Sequence, residues 1–161
     1  MKPYGTYPPE IAADFIAKWE GFRERAYLCP AGVLTIGYGH TGRDVKPGMV
    51  VDSHEAYEIL CKDIQAAVEG LEDYVDVDVS EGAFIALTSL AFNLGALGVA
   101  KGCPKLMKAL SAGDFDRAAD EMLDITYAGG RRLPGLVARR QAEAALMRQG
   151  SADARAPSDS V

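Results

Sequence analysis

The sequence predicts an α+β fold with a small β-hairpin lobe and a larger, mainly helical lobe. Between residues 27 and 38, two runs of strand-forming residues flank a turn of proline, alanine and glycine, which is typical of a hairpin. Most of the remaining chain repeats apolar residues at helical spacing. The 161 residues have the length of one domain. We expect a single domain over 1–150, with a hairpin lobe at about 21–51 and a helical lobe at about 52–149.

The first helix is expected to begin near Pro8 and to belong with the helical lobe, because proline fits the first turn of a helix. Its predicted core stripe consists of Ile11, Phe15, Trp19 and Phe22. The hairpin follows, with Pro30 and Gly32 at the two ends of a three-residue loop. Cys29 then faces Val33, and the two-residue alternation of a strand puts Cys29 and Thr35 on one face.

The helical lobe is predicted from caps and periodicity. A long helix begins at Asp52-Ser53 and ends at about Asp73. The uncharged run 83–100 raises the question of a membrane span, but its asparagine and glycines favour a buried helix that ends at Gly95. The remaining predicted helices are Pro104 to Leu110, Asp114 to Leu123 and Pro134 to about Gln149. The small polar residues 151–161 predict a disordered tail.

Charge and cysteine content limit the function. A formal net charge of −6 does not suggest nucleic acid and gives no general attraction to an anionic membrane. The three cysteines are odd in number and form no C-x-x-C pair, which favours thiols in a reducing compartment. The first residues contain no apolar segment typical of a signal peptide. We therefore expect residence in the cytoplasm where the protein is made, without stable membrane insertion.

Glu20 is the strongest catalytic candidate. It lies at the end of the predicted first helix, where the negative end of the helix dipole disfavours a carboxylate. Trp19 and Phe22 can add apolar walls that favour the neutral acid. A carboxylic acid that keeps its proton near neutral pH can protonate a leaving-group oxygen. Cys29 and Thr35 could hold a water opposite it, as glycoside hydrolysis with inversion requires.

This spacing resembles a known family. Glu20, eight residues, Cys29, five residues and Thr35, followed by Ile36-Gly37-Tyr38-Gly39-His40, resembles the phage lysozymes and endolysins of glycoside hydrolase family 24. The resemblance covers most of residues 10–149. It continues in Leu90-Ala91-Phe92-Asn93-Leu94-Gly95, in Ala112-Gly113-Asp114-Phe115 and in Leu133-Pro134-Gly135-Leu136-Val137-Ala138-Arg139-Arg140.

The resemblance implies a lysozyme-like fold with a sugar cleft between the lobes. It implies hydrolysis of the β-1,4 bond between N-acetylmuramic acid and N-acetylglucosamine in peptidoglycan, without a metal or organic cofactor. Glu20 is then the general acid, Thr35 positions the water, and Thr41 lines the cleft. Cys29 stands where aspartate is most familiar. Because a thiol has a reference pKa of about 8.5, its role as base, water-orienting group or covalent nucleophile stays open.

The resemblance also implies a monomer that lyses the host cell and depends on a holin, a membrane-permeabilising phage protein, for release to the wall. Three other activities stay open. A lytic transglycosylase cleaves the same bond with a sugar hydroxyl as nucleophile. Cys29 with His40 or His54 could form a nucleophile pair for amide cleavage, although His40 more readily fixes its loop by a hydrogen bond. A wall-binding module would need no acid at Glu20.

Two further groups of residues bear on binding. The three cysteines with His40 and His54 lack the spacing of a zinc site. Between residues 127 and 149 the chain is basic, and its arginines are either a solvated helix face or partners for peptide carboxylates of the wall. These arginines are Arg131, Arg132, Arg139, Arg140 and Arg148. A buried arginine, either Arg139 or Arg140, could also hold Glu20.

Overall fold

The computed structural model describes residues 1–128 and 130–155. In chain order the elements are β1 (Lys2–Pro3), a 3-10 turn (Tyr4–Thr6), α1 (Glu10–Glu20), β2 (Arg23–Leu28), β3 (Leu34–Gly37), β4 (His40–Thr41), α2 (Ser53–Glu72), β5 (Asp78–Val79), α3 (Glu81–Leu94), α4 (Ala96–Ala100), α5 (Pro104–Ser111), α6 (Phe115–Leu123), β6 (Tyr127–Ala128), β7 (Arg131–Arg132) and α7 (Pro134–Arg155). The strands form small antiparallel sheets with the orders β1-β5, β2-β3-β4 and β6-β7. The predicted α+β class is confirmed.

The chain divides into two compact units. The smaller unit is Pro9–Ala66, and the larger comprises Met1–Pro8 with the described residues from Ala67 onward. The sequence pattern assigns α1 to the helical lobe and starts that lobe at residue 52, whereas in the structure α1 belongs to the smaller unit and the boundary falls inside α2. The start of α2 carries Ala56, which joins Ile36 in the apolar core beneath the sheet.

Helix α1 ends where the sequence predicts, but a different stripe is buried. Its buried residues are Ala12, Ala13 and Ile16. Phe22, a member of the predicted core stripe, is 41% exposed. Alanine is small enough for neighbouring residues to enclose it completely. The aromatic residues that hydrophobicity predicts to be buried lie at the margin of the buried face of α1 and are only partly covered.

The caps of the two central helices agree with the sequence. The Asp52 carboxylate accepts a hydrogen bond from the Glu55 N–H (2.8 Å) at the start of α2. The Ser80 hydroxyl accepts one from the Ala83 N–H (3.1 Å) at the start of α3, and Gly95 ends α3 with a φ of 84°. Helix α3 is buried along most of its length and packs against α7. Within the described ranges, no helix is long and apolar enough to cross a membrane.

The N-terminal residues belong to the larger unit. Lys2 and Pro3 pair with Val79 and Asp78. Tyr4 is buried with its ring 5.2 Å from that of Phe84, and its hydroxyl forms a hydrogen bond with the Thr88 hydroxyl (2.9 Å). The sequence pattern does not predict this pairing, because a two-residue strand has no periodicity.

The last helix is longer than predicted. Helix α7 extends to Arg155, beyond the expected end at about Gln149, so residues 151–155 are helical rather than part of a tail. An ion pair between Arg155 and Asp116 of α6 (2.7 Å) joins its last turn to its neighbour. The rest of the predicted tail, residues 156–161, lies outside the described residues.

Candidate active site

Glu20 is the last residue of α1. Gly21 terminates the helix with a positive φ of 67°, which favours glycine, and its N–H donates to the Ala17 carbonyl (3.3 Å). The Glu20 side chain is half-buried. Because a fixed helix end precedes it and a tight turn follows, the carboxylate is carried on a rigid element.

The turn between β3 and β4 lies against this carboxylate. A methyl group added at Gly39 would stand 3.2 Å from Glu20 Oε2, and Gly39 has a φ of 78°. A side chain at this position would meet both steric crowding and backbone strain. Glycine therefore allows the β3–β4 turn to approach Glu20.

The hairpin loop has the predicted geometry. The Cys29 N–H donates to the Val33 carbonyl (3.0 Å), the Gly32 N–H donates to the Cys29 carbonyl (2.8 Å), and Gly32 has a φ of 75°. Cys29 thus faces Val33 across a three-residue loop. This register puts Cys29 and Thr35 on the same face, as the sequence predicts.

Cys29 and Thr35 are neighbours on one face of the hairpin. Hydrogen bonds from the Val33 backbone, from the Ala31 backbone and from the Thr35 hydroxyl lower the pKa of the Cys29 thiol from its usual value, despite the opposite effect of burial. Thr35 is itself buried, and its hydroxyl can also donate to the Val33 carbonyl (2.9 Å). A partly exposed thiol, whose thiolate form is stabilised by hydrogen bonds, lies beside the buried side chain of Thr35.

Thr41 also belongs to this sheet. It is the direct cross-strand partner of Thr35, and it is exposed. Since direct partners in an antiparallel pair point to the same face, the Thr41 hydroxyl is near Thr35. Glu20 contacts the turn that joins the strands of these two threonines.

His40 is bound between two aspartates that the sequence does not single out. Its Nδ1 forms a hydrogen bond with Asp63 Oδ2 of α2 (2.7 Å), and its Nε2 forms one with Asp44 Oδ2 (3.0 Å). The prediction that His40 fixes its loop by a hydrogen bond is confirmed. Asp63 follows His40 by 23 residues, so no local spacing signals the pair.

This histidine is electrostatically biased toward its charged form. Burial by itself lowers the pKa of His40, but the hydrogen bonds and charges of Asp63 and Asp44 outweigh it and raise the pKa above its usual value. The pKa of Asp63 is raised, mainly by burial, whereas the hydrogen bond to His40 lowers the pKa of Asp44. The group holds β4 to α2 and to the following loop.

Two arginines of the basic segment are buried in the larger unit. Arg139 is 4% exposed and Arg140 is 0% exposed, and both pair with the fully buried Glu143. Ser89 of α3 donates to Glu143 (2.6 Å), and Arg140 also contacts the Asn93 side chain and the Ile125 carbonyl. The hypothesis of a solvated helix face is wrong for these two arginines, because both are buried and contact the buried carboxylate of Glu143.

The cysteines and His54 are the residues on which amide cleavage or a zinc site would depend. Cys29, Cys61 and Cys103 are free thiols. His54 is exposed and pairs with Glu58 (3.4 Å) on the surface of α2. Within residues 1–128 and 130–155, no three histidine, cysteine or carboxylate side chains are grouped as a metal site.

Comparison with known proteins identifies the same family as the spacing of Glu20, Cys29 and Thr35. The sequence profile described as phage lysozyme matches residues 17–143. The chain is 39% identical over 143 residues to an endolysin of Bacillus phage B103, which covers 88% of this chain and 54% of that relative. It is 36% identical over 124 residues to a SAR-endolysin of Bacteriophage PS119, covering 77% of this chain and 73% of the relative. The chain thus spans about half the length of the B103 protein.

Solved structures agree with the sequence comparison. The fold is similar to that of the endolysin from Escherichia coli O157:H7 phage FAHEc1, with a TM-score of 0.77 and 28% sequence identity, covering 88% of this chain and 93% of that one. The family profile spans most of the described residues, including Glu20, Cys29 and Thr35. The chain therefore belongs to the phage lysozyme family, as the spacing of its Glu-Cys-Thr motif predicts.

Proposed function

We propose that the chain is an endolysin that hydrolyses the β-1,4 bond between N-acetylmuramic acid and N-acetylglucosamine in bacterial peptidoglycan. Membership of a lysozyme family supports the reaction class. The observation that carries the proposal is that the hairpin register puts Cys29 beside Thr35, on the sheet whose β3–β4 turn lies against Glu20. An acid and a water-holding pair are the parts that an inverting glycosidase needs.

In this mechanism Glu20 donates its proton to the glycosidic oxygen as the bond to the muramic acid C1 breaks. A water held by Thr35 and Cys29 attacks C1 from the opposite face and transfers a proton to the Cys29 thiolate. The lowered pKa of Cys29 increases the thiolate fraction and so supports this role. The product has inverted configuration at C1, and proton exchange with solvent restores both groups. Thr41 contacts a sugar hydroxyl beside Thr35.

The decisive experiment is mass spectrometry of fragments released from purified peptidoglycan, with borohydride reduction before measurement. We expect reducible muramic acid ends from the wild-type enzyme. With Glu20→Gln, which keeps the size of the side chain but cannot supply the proton, we expect a loss of about 100-fold or more. Unchanged lysis by Glu20→Gln would mean that the mechanism is wrong and would favour a wall-binding module.

The same spectra distinguish the other reactions. Anhydro-muramic acid ends would identify a lytic transglycosylase, and new amino groups on intact glycan strands would identify an amidase or endopeptidase. The structure gives the amide-cleaving reaction little support, because both ring nitrogens of His40 are hydrogen-bonded to carboxylates. Neither nitrogen is left to take a proton from Cys29.

We further propose that the enzyme acts as a monomer, stays in the host cytoplasm and reaches the wall after a holin permeabilises the membrane. Expression of the chain with and without a co-expressed holin tests this release step. Lysis is expected only with the holin or after chemical permeabilisation. Lysis that follows expression of the chain alone would show that it reaches the wall by another route.

A further inference from the structure

The sheet that carries Thr35 also presents an aromatic side chain beside it. Tyr27 of β2 is the direct cross-strand partner of Thr35, and Thr35 is the partner of Thr41. Direct partners in antiparallel strands point to the same face. The side chains of Tyr27, Thr35 and Thr41 therefore form a row across three strands, and Cys29, two residues after Tyr27, shares that face.

Tyr27 positions an arginine at this face. The Arg23 guanidinium carbon lies 4.7 Å from the centroid of the Tyr27 ring, which is the geometry of a cation–π contact. Arg23 is exposed, and no carboxylate among the described residues forms an ion pair with it. A guanidinium held over a ring by its carbon still has N–H groups that can bind a carboxylate by two parallel hydrogen bonds.

We propose that Arg23, oriented by Tyr27, binds a carboxylate of the peptidoglycan strand next to the bond that is cleaved. This inference rests on the proposed muramidase function and names a specificity-determining residue for it. Peptidoglycan offers such carboxylates from two sources, the stem peptide on muramic acid and the lactyl group that is exposed when the stem is removed. An arginine whose orientation is already fixed loses less entropy on binding than a free one.

The test is a steady-state comparison of Arg23→Gln and Arg23→Lys with the wild-type enzyme on soluble glycan strands. Three glycan substrates are compared. The first carries stem peptides, and the second, the stripped strand, has lost them to an amidase. The third is a stripped strand whose lactyl carboxylates are blocked as amides. Arg25→Gln is the matched control, because Arg25 is also an exposed arginine of β2 but does not contact the Tyr27 ring. Melting temperature is recorded for each variant.

We expect Arg23→Gln to raise KM about tenfold with kcat within about twofold, since one charge-assisted contact is lost. Arg23→Lys should recover part of the affinity. An effect confined to stem-bearing strands assigns the stem carboxylate, and an effect that persists on stripped strands assigns the lactyl carboxylate. On blocked strands the wild type and Arg23→Gln should have equal KM.

Three results would overturn the inference: an unchanged KM for Arg23→Gln on all strands, the same increase on blocked strands, or an equal increase with Arg25→Gln. These failures leave the muramidase proposal intact, because the wild-type enzyme would still release reducible muramic acid ends. A wild-type enzyme that releases no such ends on any strand would refute both the proposed function and this inference.

Discussion

The two units of the chain each contain a polar cluster, and the clusters differ in how far the protein itself satisfies them. In the larger unit, Arg139, Arg140 and Glu143 are buried and paired with one another. In the smaller unit, Cys29 is partly exposed and its hydrogen bonds favour a reactive form. The first cluster is closed off from solvent by burial, whereas the second keeps a thiol available for a water or a substrate. The difference predicts that substitutions in one cluster change stability and those in the other change activity.

The largest expected effect on stability follows Glu143→Ala. This change removes a buried carboxylate that both Arg139 and Arg140 contact, and loss of one partner from a buried ion pair costs about 3–5 kcal/mol. Urea denaturation measures the free energy of unfolding. Arg148→Ala is the control, because Arg148 pairs with Asp120 at the surface and its loss should cost at most about 1 kcal/mol. Equal losses for the two variants would contradict the contrast between the clusters.

Cys29→Ala should have the opposite profile. Because the side chain is small and partly exposed, we expect the unfolding free energy to change by about 0.5 kcal/mol or less. Activity on peptidoglycan should fall about 100-fold, since the proposed proton acceptor is lost. Cys61→Ala removes a thiol of similar exposure from α2 and should leave activity unchanged. Wild-type rates with Cys29→Ala would remove Cys29 from the mechanism.

The reactivity of the three thiols compares Cys29 of the candidate site with Cys61 and Cys103 outside it. The pKa of Cys29 is lowered, whereas burial raises the pKa of Cys61 and Cys103. Since the thiolate is the nucleophile, iodoacetamide should alkylate Cys29 at least about tenfold faster near neutral pH. Peptide mapping over time measures the three rates, and lytic activity should fall with the Cys29 rate. Loss of activity in step with Cys103 alone would contradict the assignment.

His40→Asn should give the smallest effect, and one that depends on pH. The pKa of His40 is raised in the folded protein, so its stabilisation is present below the unfolded value of about 6.5 and is lost as pH rises through the folded pKa. We expect the variant to lose about 1 kcal/mol at pH 6 and less at pH 9. Urea denaturation at both pH values measures this. A larger loss at pH 9 would contradict the charged His40–Asp63 and His40–Asp44 pairs.

Local features of the fold were predictable from the sequence, and contacts between distant residues were not. The loop at Pro30 to Gly32, the Asp52 cap and the end of α3 at Gly95 each follow from residues adjacent in the chain. The aromatic stripe of α1 was wrong in part, because hydrophobicity does not reveal that small residues such as Ala12 are the enclosed ones.

The same distinction applies to the candidate site. Spacing along one hairpin brings Cys29 to Thr35, so the pair could be inferred from turn geometry. The pairing of His40 with its aspartates could not be inferred, because Asp63 is distant in the chain. The contact of Arg23 with Tyr27 could not be inferred either, because it depends on an irregular register between these two residues. The catalytic roles of Glu20, Cys29, Thr35 and Thr41 stay predictions for the experiments described above.

The docking of the first eight residues also determines the order in which the chain can fold during synthesis. Tyr4 meets Thr88, 84 residues further along, so the larger unit cannot close until that part has left the ribosome. Residues 9–66 of the smaller unit are continuous and are synthesised before it. The smaller unit is therefore an insertion, in sequence terms, within the larger one. The N-terminal segment must wait, unpaired, while the complete sequence of the inserted unit is made.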